Sequence, residues 1–137
     1  MSRADELRER YSRIAAEVGP AVTVVVATKY VSIDELAVVA EAGIPVVGEN
    51  RAQDLQAKHA RYGDAFRWHF IGHLQSNKAR LVGGLCELVH SLDSDSAAAR
   101  LGAPALVEVN LSGEASKHGI APGELGPVLG RHPGARG

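Results

Sequence analysis

Short apolar runs recur about every 20 residues in this chain, and helical patterns lie between most of them. The first run, AVTVVVAT at 21–28, is continuous and rich in β-branched residues, which favours a strand buried on both faces. Strands that alternate with helices are typical of consecutive right-handed βαβ units. We therefore predict an α/β fold with about five parallel strands, in a sheet or a barrel. The predicted strands are 21–28, 44–47, 66–71, 87–90 and 105–109.

Helix-start signals support this alternation. Capping-box patterns open the first two helices, and an Asn-x-x-Gln pattern can cap a third. The pairs are Ser2 with Asp5, Ser32 with Glu35, and Asn50 with Gln53.

Two stretches fit this alternation of strands and helices less well. The SDSAAARLGAPA segment is short for a crossover that includes a helix, and we expect residues 131–137, RHPGARG, to form a disordered tail. We assign the whole chain, 1–137, to one domain.

Composition excludes several classes of partner. Fifteen basic and sixteen acidic side chains nearly balance, so no overall field attracts nucleic acid or an anionic membrane surface. No apolar run reaches the roughly 20 residues that a membrane-spanning helix needs. The single Cys86 cannot form an internal disulfide, and the amino terminus MSRADELRER is charged. We therefore expect a cytoplasmic protein that binds neither nucleic acid nor membranes.

Lys29 directly follows the first apolar run, at the end of a strand where α/β folds place their sites. Dry surroundings favour the neutral amine that carbonyl chemistry requires. A lysine at a strand end can also simply extend its ammonium into solvent. Position alone leaves both interpretations open.

His69 and His73 have the H-x-x-x-H spacing of a helical metal-binding pair, but the pattern places His69 in a strand. Four residues of extended chain span about 13 Å, too far for one ion. We expect packing or hydrogen bonding from these histidines and no metal site.

Two further positions are open to a binding or a structural interpretation. Asn50 lies where the second strand meets its helix, so it can cap that helix, face a ligand, or both. The loop NLSGEASKHG at 110–119 contains glycines and small hydroxyl residues that can present backbone N–H groups to an anion. It lacks the spacing of the known phosphate-binding loops, and an ordinary surface loop is the simpler interpretation.

Several segments together resemble the YggS/PROSC family of pyridoxal 5′-phosphate (PLP) binding proteins, whose fold is similar to the N-terminal barrel of alanine racemase. The most specific of them is WHFIGHLQSNK, within 67–82. The resemblance covers most of residues 1–120, through VVVATKYVS (24–32), VVGENRAQDLQAK (46–58), RWHFIGHLQSNKARLV (67–82), VHSLDS (89–94) and ALVEVNLSGEASKHGI (105–120).

The resemblance implies that Lys29, in the ATK segment, holds PLP as a Schiff base. It also implies that Asn50, in the GEN segment, lies near the cofactor. The family is associated with vitamin B6 homeostasis and has no established catalytic activity, so the resemblance favours a binding protein over an enzyme. An alanine-racemase-like enzyme and a remnant that binds no ligand are the alternatives.

The resemblance also implies an incomplete TIM-type (β/α) barrel. A complete barrel of eight strands takes about 250 residues. In comparison with the family, most of the helix before 105–109 and the phosphate-binding segment are absent from the given sequence. We therefore expect a truncated barrel with an open parallel edge. Unpaired strand edges template association, so self-association is expected.

Overall fold

A computed structural model describes residues 1–136 of the chain. Within these residues, six α-helices alternate with six short strands, which confirms the predicted alternation and adds one strand to the five predicted. The helices are α1 (Arg3–Val18), α2 (Leu36–Glu41), α3 (Ala52–Tyr62), α4 (Ala79–Leu85), α5 (Asp95–Leu101) and α6 (Leu125–Arg131). The strands are β1 (Val26–Ala27), β2 (Val46–Glu49), β3 (Arg67–Phe70), β4 (Leu88–Leu92), β5 (Ala105–Val107) and β6 (Ala135–Arg136).

The strands form one all-parallel sheet in the order β1-β2-β3-β4-β5-β6, so that each strand lies beside its neighbour in sequence. β2 pairs with β3 over four residues, from Val46 opposite Arg67 to Glu49 opposite Phe70. Within residues 1–136 the two edge strands, β1 and β6, do not pair with each other. The fold is therefore an incomplete (β/α) barrel that remains open, as predicted.

The first strand differs from its prediction. Only Val26 and Ala27 of the run 21–28 form a strand, and neither is fully buried. β1 is an edge strand with a partner on one side only, so its apolar side chains are not covered on both faces. The inner strand β2 shows the expected pattern, because all four of its residues are buried.

The core lies between the sheet and the helices, and it forms one cluster of buried apolar side chains. On β3, Trp68 and Phe70 are buried on the face that α3 covers. The Trp68 indole N–H donates to the carbonyl of Gly63, 2.8 Å away, and the ring packs 5.5 Å from that of Phe66. This packing anchors α3 and therefore the loop that joins β2 to it.

The crossover between β4 and β5 contains a complete short helix, which corrects the expectation that little helix fits there. Ser94 caps α5 by accepting a hydrogen bond from the backbone N–H of Ala97 at 3.2 Å. Gly102 ends it in the left-handed conformation, with φ of 64°. A helix of seven residues forms in this short crossover because a serine caps its start and a glycine ends it.

The carboxy-terminal segment also differs from its prediction. Arg131 ends α6, and Ala135 and Arg136 form β6 beside β5, so residues 131–136 do not form a disordered tail. Gly137, the last residue of the predicted tail, lies outside the described residues. Between residues 1 and 136, no helix combines the length and apolar character that crossing a membrane requires.

Candidate functional site

Polar side chains follow the strands at one edge of the sheet. Because all the strands are parallel, their carboxyl ends share this edge, which is where α/β folds bind ligands. The residues there are Lys29 after β1, Asn50 after β2, His73 after β3, Asp93 after β4 and His118 in the loop that follows β5. We call this row the carboxyl edge.

Lys29 is exposed at the carboxyl edge, so its side chain lies in solvent and not in the dry surroundings of the first interpretation. Its Nζ lies 5.0 Å from the centroid of the Tyr30 ring. The side chain lines a cavity of about 410 Å³ between residues 29–33 and α3, where Asp54 and Lys58 also contribute. The amine is therefore accessible to a carbonyl compound from solvent.

A buried polar network lies directly beneath Lys29. Glu49 is fully buried, and Lys58 is 5% exposed. The Lys58 Nζ donates to the Thr28 carbonyl at 2.9 Å and to both Glu49 carboxylate oxygens at 3.0 and 3.1 Å. The Thr28 hydroxyl donates to the same carboxylate. This network joins the ends of β1 and β2 to α3.

Asn50 does not cap α3, contrary to the sequence prediction. Arg51 occupies the N-cap position, and no side chain bonds to the first turn. The Asn50 amide oxygen is buried and has no hydrogen-bond partner among the described residues. A buried unsatisfied amide oxygen is a group that a bound ligand or water can satisfy. Asn50 therefore keeps its interpretation as a ligand-facing residue.

The cavity beside Asn50 has a volume of about 260 Å³ and a basic character. Arg51 and Lys78 line it, together with Phe70 and His73. Gly72 closes this region tightly, because a Cβ atom there would lie 2.1 Å from the Asn50 carbonyl oxygen. No residue lines both this cavity and that of Lys29. The structure thus places Lys29 and Asn50 on the same edge but in neighbouring cavities.

His69 takes part in hydrogen bonding, as expected, and not with His73. Its Nδ1 lies 2.9 Å from the His90 Nε2, and its Nε2 lies 3.1 Å from a Glu87 carboxylate oxygen. Burial, and then the charge of His69, lowers the pKa of His90. Hydrogen bonds from Arg67 and His69 hold the pKa of Glu87 below its usual value. The sequence spacing gave no sign of either partner of His69.

The loop 110–119 has the structure of an ordinary surface loop. The Asn110 side-chain oxygen accepts hydrogen bonds from the backbone N–H groups of Ser112 and Gly113, at 3.1 and 3.0 Å. These N–H groups are therefore not available to an anion. A bridge between Val109 and Ile120 closes the base of the loop.

Another cavity lies away from the carboxyl edge. It has a volume of about 420 Å³ and lies between α5 and the segment 131–135. Its titratable groups, Arg131 and His132, are both paired with Asp95. We therefore assign the candidate site to the carboxyl edge.

No family model matches the chain, but individual proteins are similar to it. A pyridoxal phosphate homeostasis protein of Pseudomonas aeruginosa is 44% identical over 98 residues, which are 64% of this chain and 42% of the relative. One of Deinococcus radiodurans is 40% identical over 118 residues, 79% of this chain and 55% of the relative. One of Aquifex aeolicus is 39% identical over 93 residues, 61% of this chain and 41% of the relative. The chain thus spans about half the length of these relatives.

Solved structures show the same fold. The PipY protein of Synechococcus elongatus without PLP superposes with a TM-score of 0.80 at 29% identity, over 94% of this chain and 66% of PipY. The structure of the same protein with PLP bound has a TM-score of 0.78 at 28% identity, with the same coverage.

Proposed function

We propose that this chain belongs to the family of pyridoxal phosphate homeostasis proteins, to which it is similar in sequence, and that it binds PLP with Lys29 as the covalent attachment point. The observation that carries the proposal is the position of Lys29, an exposed amine immediately after the first strand at the carboxyl edge. Bound PLP would supply an aldehyde group, with which a lysine amine would condense to a Schiff base with release of water. The residues of the chain bind and orient PLP.

The groups at the carboxyl edge suit this ligand. Lys29 offers a solvent-accessible amine, and Asn50 offers a buried amide oxygen that accepts no hydrogen bond from the part of the chain that the structure describes. The cavity beside Asn50 carries the cationic groups of Arg51 and Lys78 and no carboxylate, which favours an anionic ligand. A phosphorylated aldehyde matches this combination of an amine and a cationic cavity.

The buried network selects Lys29 over its neighbour. Lys29 and Lys58 line the same cavity, but the three hydrogen bonds of the Lys58 ammonium hold it against Glu49 and Thr28. A lysine held in this way presents no free amine to an aldehyde. We infer that Lys58 fixes the strand end that carries Lys29, while Lys29 makes the covalent bond.

Three further parts of the proposal concern the cellular role, the location and the domain organisation. We infer that the chain contributes to PLP homeostasis without catalysing a reaction, that it acts in the cytoplasm, and that all of its residues form one domain. Among residues 1–136, the outer edges of β1 and β6 pair with no other strand, and such edges are suited to self-association. Sedimentation velocity over a range of protein concentrations tests self-association, since a monomer at all concentrations would contradict it.

Covalent labelling tests the attachment point. The purified chain is incubated with PLP at pH 8, reduced with borohydride, digested and mapped by mass spectrometry. We expect the adduct on Lys29 and its loss in Lys29→Ala. Lys117→Ala is the matched control, because it removes a lysine from an exposed loop outside both cavities.

The distribution of the label decides the outcome. Equal labelling of Lys29, Lys78 and Lys117 would show that no selective site exists and would support a remnant without a ligand. Racemisation of alanine in the presence of PLP, lost in Lys29→Ala, would instead favour a racemase-like enzyme.

Asn50→Ala should weaken PLP binding several-fold while circular dichroism shows an unchanged fold.

A further inference from the structure

The structure assigns a second site to the carboxyl edge: we propose that His73, Asp93 and His118 bind one divalent transition-metal cation of the Zn²⁺ type. One ligand atom from each side chain lies within 4.8 Å of the other two. Two imidazole nitrogens and one carboxylate oxygen form the donor set that Zn²⁺ takes at sites with an open coordination position. This is the one such group within residues 1–136.

The topology brings these residues together although they are far apart in sequence. His73 follows β3, Asp93 directly follows β4, and His118 lies in the loop after β5. These three strands are consecutive neighbours in the sheet. The histidine that shares the ion with His73 is therefore His118, and His69 points to a different set of partners.

Asp93 is held in a position suited to a metal ligand. Its Oδ2 accepts a hydrogen bond from the backbone N–H of Gly119 at 3.0 Å, which leaves Oδ1 for an ion. Gly119 permits this contact because its φ is 107° and a Cβ atom would lie 2.7 Å from the Asn110 backbone nitrogen. Hydrogen bonds of this kind orient the ligands of metal sites and raise their affinity.

The two imidazole rings must turn to share an ion. They are stacked with centroids 3.7 Å apart and an angle of 13° between their planes, whereas a ligating nitrogen directs its lone pair within the ring plane. Ligand atoms around tetrahedral Zn²⁺ are about 3.3 Å apart, so the cluster has to contract slightly. Both histidines are exposed, which leaves their rings room to turn.

The site has three protein ligands and faces solvent, so water or an anionic ligand can occupy the remaining coordination position. A cation at this place would also add positive charge beside the cavity of Asn50, since His73 lines that cavity. The inference does not depend on PLP binding.

Metal titration of the untagged chain, stripped with a chelator and free of PLP, tests the site. Zn²⁺ binding is measured by calorimetry, and Co²⁺ binding by the visible absorbance that reports its coordination geometry. We expect one equivalent to bind to the native chain. His73→Ala, His118→Ala and Asp93→Asn should each weaken binding about tenfold or more. Asp93→Asn keeps an acceptor for Gly119 and removes only the charge.

His132→Ala is the matched control, because this residue is another histidine beside a carboxylate, that of Asp95. It should leave the stoichiometry and affinity unchanged, as should Lys29→Ala. Binding that persists in all three ligand variants would overturn the inference, and so would binding that the His132 variant abolishes. Circular dichroism of each variant verifies the fold.

Discussion

The ammonium group of Lys58 lies 3.0 Å from the nearer carboxylate oxygen of Glu49, and both side chains are buried between the sheet and α3. Two opposite charges in such a place stabilise each other, but each is costly if the other is removed. The Lys58 ammonium also donates to the carbonyl of Thr28, the residue before Lys29. The ion pair therefore affects both the stability of the fold and the position of the candidate site.

We predict that Lys58→Met lowers the free energy of unfolding by about 3 to 5 kcal/mol, because it leaves the Glu49 carboxylate buried without a counter-charge. Chemical denaturation followed by circular dichroism measures this loss. Arg61→Met is the control, since it breaks a surface pair with Asp34 and should have little effect. The double variant Lys58→Met with Glu49→Leu should recover part of the loss. Equal stability of the native chain and Lys58→Met would contradict the prediction.

His90 should make the stability depend on pH near neutrality. Burial first, and then the charge of His69, lowers its pKa from the ordinary value of 6.5, so the unfolded chain binds the proton more tightly. The contribution is therefore fully present above about pH 6.5 and is lost as the pH falls towards the lowered pKa. The neighbouring Glu87, whose pKa is also lowered, acts in a separate, more acidic range.

Denaturation of the native chain and of His90→Gln between pH 8 and pH 5.5 tests this dependence. The fall in unfolding free energy should be smaller in the variant. Parallel curves for the native chain and His90→Gln would show that His90 does not contribute.

Cys86 should be unreactive in the folded chain. The thiol is buried, and burial raises its pKa to about 12, so almost no thiolate exists at pH 8. We expect negligible modification by a disulfide reagent at pH 8 and one equivalent after addition of denaturant. Rapid modification of the native chain would show that α4 opens readily.

Two adjacent glycines of α4 should respond differently to substitution by alanine. A Cβ atom on Gly83 would lie 1.7 Å from the carbonyl oxygen of Leu101, whereas one on Gly84 would meet nothing within 4 Å. Gly83→Ala should thus destabilise the fold by about 1 to 3 kcal/mol, because it forces α4 and α5 apart. Gly84→Ala should stabilise it by about 0.5 to 1 kcal/mol. Thermal melts of the pair measure both effects, and equal melting temperatures would refute the close packing.

Features that depend on neighbouring residues could be predicted from the sequence. The alternation of strands and helices is one of them, and the two capping boxes are another, with Ser2 bonded to Asp5 and Ser32 to Glu35. The location of Lys29 and Asn50 at strand ends was also predicted. Local spacing determines these features, because helix caps and buried strands need only a few consecutive residues.

The tertiary structure decided what joins distant segments. The sequence contains no signal that Lys58 would reach Glu49 or that Asp93 would meet His73 and His118, since these contacts exist only after the strands align in one parallel sheet. The strand β6 depends on β5 for its hydrogen bonds in the same way. The sequence by itself therefore determined the order of the βα units and the residues at their ends. Only the packing of the sheet and helices determined which of those residues are buried, which are exposed and which meet, because burial and charge pairing depend on neighbours that are remote in the chain.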